Sequence, residues 1–287
     1  MSEQRMSNYT IKPMTRADLA VAIDWAAAEG WNPGLQDADC FYAADASGFL
    51  MGWLEEEPIA AISVVKYGST FGFLGFYIVR PEFRGRGYGW QLWQAGLATL
   101  EGRTVGLDGV VDQQSNYLKS GFQLAYRNIR YEGQRGTAIA PADPAVVSIA
   151  SLDFAQVLAY DRPFFPDDRT AFLQGWLAQP DSTAVAYVQD QAILGYGMLR
   201  PCRQGYKIGP LFADTPAIAD TLFQHFIAHV PAGQPFYLDV PEVNEAAVAL
   251  AQRYGLTSMF ETARMYLPEP PQLPTERIFG VTTFELG

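Results

Sequence analysis

Histidine and cysteine are scarce in this chain, two of each in 287 residues. Cys40 and Cys202 lie far apart and form no CxxC pair. That sets aside a disulfide framework or a zinc ribbon and suits a reducing, cytoplasmic compartment. His225 and His229 stand four apart without an HExxH pattern, so no metal is expected. Basic residues are few as well: 20 lysines and arginines against 31 acids leave a formal net charge of −11. Nucleic acid is therefore not an expected partner, because phosphate contacts need a basic face. No apolar run approaches the ~18 residues of a membrane helix. The opening "MSEQRMSNYT" has neither the apolar core nor the cleavage site of a signal peptide. A soluble protein with no membrane partner is expected.

What is plentiful is core material, 49% hydrophobic and 14% aromatic residues. That excludes the disordered class and suffices for one large domain or two of roughly 140 residues. The chain opens with a helix signal. Thr15 and Asp18 form a capping pattern ahead of an apolar stripe at Leu19, Ala22, Ile23 and Ala26, and Gly30 ends it. "FLMGWL", the acidic turn "EEEP" and "IAAISVVKYG" read as an antiparallel hairpin, and "TFGFLGFYIV" as a third strand. A helix follows with Trp93, Leu97 and Leu100 on one face, then the short strand "TVGLDGVV", a helix or turn "QQSNYLKSG", and the strand "FQLAYRNIRYEG".

Residues 135–147 turn to Gly, Ala and Pro and read as a linker. Beyond it the first half repeats: a hairpin "TAVAYVQDQAILGYGMLR", a strand "YKIGPLFAD", a helix "TPAIADTLFQHFIAHV" and a strand "FYLDV". Leu107-Asp108 is answered by Leu238-Asp239, Gly121-Phe122 by Gly255-Leu256, and "RNIRYEG" by "TARMYLPE". Matching landmarks in one order indicate two copies of one α/β unit.

The chemistry-bearing stretch is "VRPEFRGRGYGWQLWQ" (79–94). A strand, a glycine-rich turn and a helix start present successive backbone N–H groups, and the helix dipole, to an anion. Gly85, Gly87 and Gly89 let an oxyanion reach that backbone. No Walker Lys-Ser/Thr follows, the GxGxG spacing is not the Rossmann GxGxxG, and the preceding strand belongs to a meander rather than a βαβ unit.

Arg84-x-x-Gly87-x-Gly89 resembles the R/Q-x-x-G-x-G/A signature of the GNAT N-acetyltransferases, and "NYLKSGF" (116–122) resembles that family's "LYxKxGF". "EGWNPG", "DRPFF", "IGPLFAD" and "FGVTTFELG" extend the likeness to its tandem, YitH-type members. The resemblance implies an α/β (α+β) fold of two tandem GNAT-like domains, each a mixed, mostly antiparallel sheet flanked by helices. These are a catalytic unit at 1–134 and a degenerate one at 148–287. It implies acetyl-CoA as acyl donor, held by Phe76, Ile78, Val79, Arg84, Gly85, Arg86, Gly87, Tyr88, Gly89, Asn116 and Tyr117. It gives Tyr117 the role of acid to the leaving thiolate, and a backbone N–H within 76–79 the thioester oxygen. The reaction implied is acetyl transfer to a small-molecule amine by direct attack in a ternary complex.

For the base, Glu29 at the end of the first helix is the leading candidate, with Asp24 and Glu55–Glu57 behind it. The second half has "FADTPAIAD" where the first has the glycine turn, and Ala251 where the tyrosine would stand. One active site is therefore expected, with the C-terminal half walling the cleft or mediating a homodimer. Two alternatives remain open at this level: a non-catalytic acyl-CoA-binding regulatory module, and a different acyl or aminoacyl donor.

Overall fold

The computed structural model describes residues 8–136 and 143–287. In the N-terminal half β1 (Tyr9–Pro13), α1 (Arg16–Ala28) and α2 (Asp37–Ala44) precede the strands β2 (Phe49–Leu54), β3 (Glu57–Tyr67) and β4 (Phe71–Val79). Then come α3 (Tyr88–Thr99), β5 (Thr104–Val110), α4 (Gln114–Lys119) and β6 (Gln123–Gln134). The C-terminal half runs β7 (Val146–Ser148), α5 (Phe154–Asp161), α6 (Thr170–Leu177), β8 (Thr183–Gln189), β9 (Ala192–Pro201) and β10 (Tyr206–Ala213). It ends with α7 (Pro216–His229), β11 (Pro235–Pro241), α8 (Glu245–Arg253), β12 (Thr257–Leu267) and β13 (Ile278–Gly280). Part of the expected linker, 137–142, lies outside the described residues, and Val146 and Val147 already belong to β7.

Thr15 and Asp18 close a reciprocal capping box, and the stripe Leu19, Ala22, Ile23 and Ala26 is buried. Helix α2 was not legible in the sequence. It buries only Cys40 and Phe41 among its apolar residues, too short a stripe to reveal a period. Its fixed point is Asp37, buried, which accepts from the Gly34 N–H at 2.8 Å and from Arg200 Nε at 2.9 Å.

Sequence reading gives each half its own sheet. The strands instead form one continuous sheet in the order β1-β2-β3-β4-β5-β12-β6-β11-β10-β9-β8-β7, with β13 on β10. The halves have exchanged their last long strands: β12 lies against β5, and β6 lies against β11. Because the halves are copies, either last strand can complete either sheet, which is the logic of domain swapping within one chain. Two buried ion pairs fix the exchange. Asp108 on β5 stands opposite Arg264 on β12, which donates from Nε at 2.8 Å and Nη2 at 2.5 Å. Asp239 on β11 stands opposite Arg130 on β6, which donates from Nε and Nη2, both at 2.7 Å. The repeated Leu-Asp landmark is thus the anchor of the exchange.

The core also crosses between halves. Phe41 and Phe76 share one apolar cluster with Trp176 and Met198, and the Phe41 and Trp176 rings stack at 6.0 Å. Among the described residues no helix is long and apolar enough to cross a membrane, and no three His, Cys, Asp or Glu gather as a metal site.

Candidate active site

Strand β4 shapes the site through a change of parity. Phe71 and Phe73 pack with the α1 cluster, whereas Leu74 packs with the α3 cluster. After Gly75 the alternation slips by one residue, so that Phe76 and Ile78 face α1 while Tyr77 and Val79 face α3. One extra residue in one strand is a β-bulge. The β3–β4 register accordingly shifts between Ala61↔Ile78 and Ser63↔Gly75, and Phe76 adopts φ +45°. The spacing Phe71-x-Phe73-x-x-Phe76-x-Ile78 carries that signal in the sequence.

Beyond the bulge β4 loses its second neighbour. It pairs with β5 only through Phe71–Leu74, after which β5 continues with β12. The resulting wedge opens a cleft of about 470 Å³ between residues 74–79 and 107–110. Arg80 N–H bonds to the Ile59 carbonyl, so strand alternation turns the polar groups of Val79 away from β3 and toward this opening.

The glycine turn borders the cleft where β4 ends. Gly85 (φ +73°) and Gly87 (φ +85°) occupy the left-handed region, and a Cβ on either would meet nothing within 4 Å. Gly87 is the N-cap of α3 and, as a glycine, brings no capping side chain across the backbone of the helix start. Gly89 is glycine for a different reason: a Cβ would come 2.8 Å from Tyr77 Oη and 2.9 Å from Val79 Cγ2, holding α3 off the strand. Arg84 braces the turn. Its Nε donates to the Val79 carbonyl at 2.7 Å and its Nη2 pairs with Glu29. An open, backbone-lined cradle at a helix start fits an anionic pyrophosphate.

Tyr117 lines the cleft from α4, buried, its ring stacked on Trp93 at 5.4 Å. Gly109 on β5 makes the room, since a Cβ there would come 2.2 Å from Tyr117 Cε2. Burial, with nearby Tyr77 adding, pushes the Tyr117 phenol well above its usual pKa. It therefore keeps its proton throughout the neutral range.

Of the residues singled out in the sequence, the structure gathers Glu29, Phe76, Ile78, Val79, Arg84, Gly85, Gly87, Gly89 and Tyr117 around this cleft. Arg86, Tyr88 and Asn116 lie outside its wall. Arg86 sits over the Phe83 ring at 5.7 Å, the Tyr88 carbonyl accepts from Tyr9 Oη at 3.3 Å, and Asn116 donates to Gln113 Oε1 at 2.8 Å. Asp24 pairs with Arg203, and Glu57 with Arg80, away from the opening. Phe164, Phe165 and Tyr196 are core residues.

The C-terminal half does wall the cleft, but sequence reasoning missed which of its residues do so. Phe260, Thr262, Phe284 and Glu285 line the same cleft. The segment after β13 packs against the bulge, and a Cβ on Gly75 would come 2.2 Å from the Glu285 carbonyl oxygen. The one available signal was an acid, Glu285, inside the apolar stretch "VTTFELG".

Residues 17–122 match the family model described as "Acetyltransferase (GNAT) family", and residues 157–280 the one described as "Acetyltransferase (GNAT) domain". The chain is similar to holothin acyltransferase of Pseudoalteromonas sp. (strain SANK 73390), 31% identical over 99% of this chain and 96% of that one. It is also similar to YitH of Bacillus subtilis (strain 168), an uncharacterized N-acetyltransferase, at 26% identity over 64% of each chain. Among solved structures, a putative acetyltransferase from Pyrococcus horikoshii superposes with a TM-score of 0.83 at 20% identity, covering 100% of this chain and 99% of that one. A tandem GNAT protein from the clavulanic acid biosynthesis pathway gives a TM-score of 0.63 at 13% identity, covering 92% and 100%. These last two likenesses bear on the fold.

Proposed function

The chain belongs to the GNAT acetyltransferase family, with two such domains in tandem, and from that premise we propose an acetyl-CoA-dependent N-acetyltransferase acting on a small-molecule amine. The observation that carries this reading is the continuity of one cleft from the glycine turn, past the bulge of β4, to Tyr117. Acetyl-CoA, when bound, supplies an activated acyl thioester. The open backbone at Gly85 and Gly87, with the start of α3, would hold its pyrophosphate. The polar backbone edge of β4 over residues 76–79 would hold the pantetheine amides and, at its bulge end, meet the negative charge developing on the acyl oxygen. Tyr117 would give its proton to the leaving sulfur, whose thiol has a pKa of about 8.5 when free. Holding acyl group and amine together in a walled cleft supplies much of the remaining acceleration. The relative named for holothin supports a small-molecule acceptor rather than a protein.

Purified protein incubated with acetyl-CoA and a panel of amines should release free thiol, and acetyl-CoA alone should raise its melting temperature. Absence of both overturns the proposal. A rise in melting temperature with no turnover across the panel would instead assign a non-catalytic acyl-CoA-binding module.

A further inference from the structure

Three carboxylates line the cleft: Glu29, Asp108 and Glu285. Two are committed. Glu29 pairs with Arg84 beside the glycine turn. Asp108 is clamped by Arg264 and takes a further bond from Asn128 Nδ2 at 2.8 Å. Glu285 differs. It is 3% exposed, its Oε2 accepts from the Thr283 hydroxyl, and no donor among the described residues reaches Oε1. The cations whose ionisation senses its charge are Arg130, Arg200 and Lys207. Arg130 is spent on Asp239, Arg200 pairs with Asp37 through Nε and Nη2 while its Nη1 makes no hydrogen bond among the described residues, and the Lys207 ammonium is held by the Asn32 carbonyl at 2.9 Å. A nearly buried carboxylate with one hydroxyl partner is costly unless something else completes its shell. Its backbone rests on Gly75, next to the bulge residue Phe76, where the thioester oxygen would be received. The neighbouring wall is Trp31, Phe260 and Phe284, three aromatic rings.

We infer that Glu285 is the acceptor-binding carboxylate and base of this site, and that the acceptor is a primary amine carried on an aromatic frame. The assignment rests on the acetyl-transfer reading above. In the step, the neutral amine nitrogen forms its bond to the acyl carbon as the carbon–sulfur bond breaks. The amine proton goes to Glu285 Oε1, the Tyr117 proton goes to sulfur, and solvent returns the proton from Glu285 to Tyr117. Aminosugars and polyamines are disfavoured, because one carboxylate among rings offers too few polar partners for several hydroxyls or ammonium groups.

The test uses the full chain, 2-phenylethylamine as probe and 2-phenylethanol as its neutral control. Calorimetry without acetyl-CoA should show amine binding that Glu285→Gln weakens about tenfold, the loss expected for one charge-assisted hydrogen bond, and alcohol binding that it leaves alone. With acetyl-CoA, Glu285→Gln should lower kcat/KM for the amine by about 10²-fold while acetyl-CoA protects the variant thermally as it does the wild type. Glu285→Asp should recover part of the loss. Equal amine binding by wild type and Glu285→Gln, no amine binding by the wild type, or Asp behaving no better than Gln would overturn the assignment. Lost acetyl-CoA protection in Glu285→Gln would also overturn it, making Glu285 a support of the tail. If the wild type fails to bind acetyl-CoA yet binds the amine in a Glu285-dependent way, the acetyl-transfer reading falls and the amine site stands.

Discussion

The two halves are the same unit with its central wedge put to different uses. In the N-terminal half β4 and β5 part after Leu74 and Leu107, and the gap is the cleft. In the C-terminal half β10 and β11 part in the same way after Ile208 and Leu238, but β13 enters the gap and pairs with Leu211 and Phe212. The supporting residues change together. Where the first half has Gly109 beneath Tyr117, the second has Val240 and Ala251, both buried in one cluster, so a small-large pair has become a large-small one. The glycine turn has become Thr215 capping α7 with a side-chain hydroxyl, which leaves no cradle for an anion. A fold of this kind keeps its wedge whether or not chemistry occurs there, and something must fill it.

The largest expected effect breaks the comparison at the turn. Gly87→Glu places a side chain on a left-handed backbone and a negative charge where a pyrophosphate would sit. Acetyl-CoA binding should fall below detection by calorimetry. Ala217→Glu, exposed in the first turn of α7, should leave that binding unchanged.

Next comes the strand exchange. Arg264→Leu and Arg130→Leu each strand a buried aspartate, and each should cost about 3–5 kcal/mol in urea unfolding. Arg264→Leu should be the milder, because Asp108 keeps its bond from Asn128. A pair of losses this similar, one in each half, is expected only if both exchanged strands bear load alike.

The small-large pair sharpens the contrast further. Tyr117→Phe keeps the ring on Trp93 and removes the hydroxyl that would give its proton to the leaving sulfur, so kcat should drop by roughly 10²-fold with little change in melting temperature. Gly109→Val imports the C-terminal half's residue and drives into the Tyr117 ring. It should cost about 1–3 kcal/mol by overpacking and lower kcat as well. A Gly109→Val enzyme with full activity would show that the position of the Tyr117 ring is immaterial.

What could be read from the sequence was local or repeated. The capping box at Thr15, the glycine turn and the position of Tyr117 are each set by neighbouring residues, and the Leu-Asp landmark exposed the duplication. The strand exchange was hidden by that same duplication, since near-equivalent strands satisfy the pattern in either sheet. Glu285 was hidden because its place depends on a tail that crosses from the second wedge to the first, with no period of its own. Glu29, legible as an acid beside the site, proved to be tied to Arg84. Charge partners at long sequence separation leave no mark on spacing.

The smallest expected effect concerns a second, exposed tie between halves. Asp167, before α6, accepts from the Thr70 hydroxyl at 2.7 Å, the Thr70 N–H at 2.8 Å and the Ser69 N–H at 3.1 Å, in the turn between β3 and β4. Partial burial pushes its pKa up, but the bonds from Thr70, Asp168 and Ser69 outweigh it and hold the carboxyl at about 2. In the unfolded chain the same group titrates near 3.9. A depressed carboxylate contributes stability that is complete above its unfolded pKa and is lost as pH falls through its folded one. The urea midpoint of the wild type should therefore exceed that of Asp167→Asn by a constant margin from pH 7 to about 5, and the margin should close toward pH 2. A margin that persisted unchanged at the acid end would mean that the tie works through shape rather than charge.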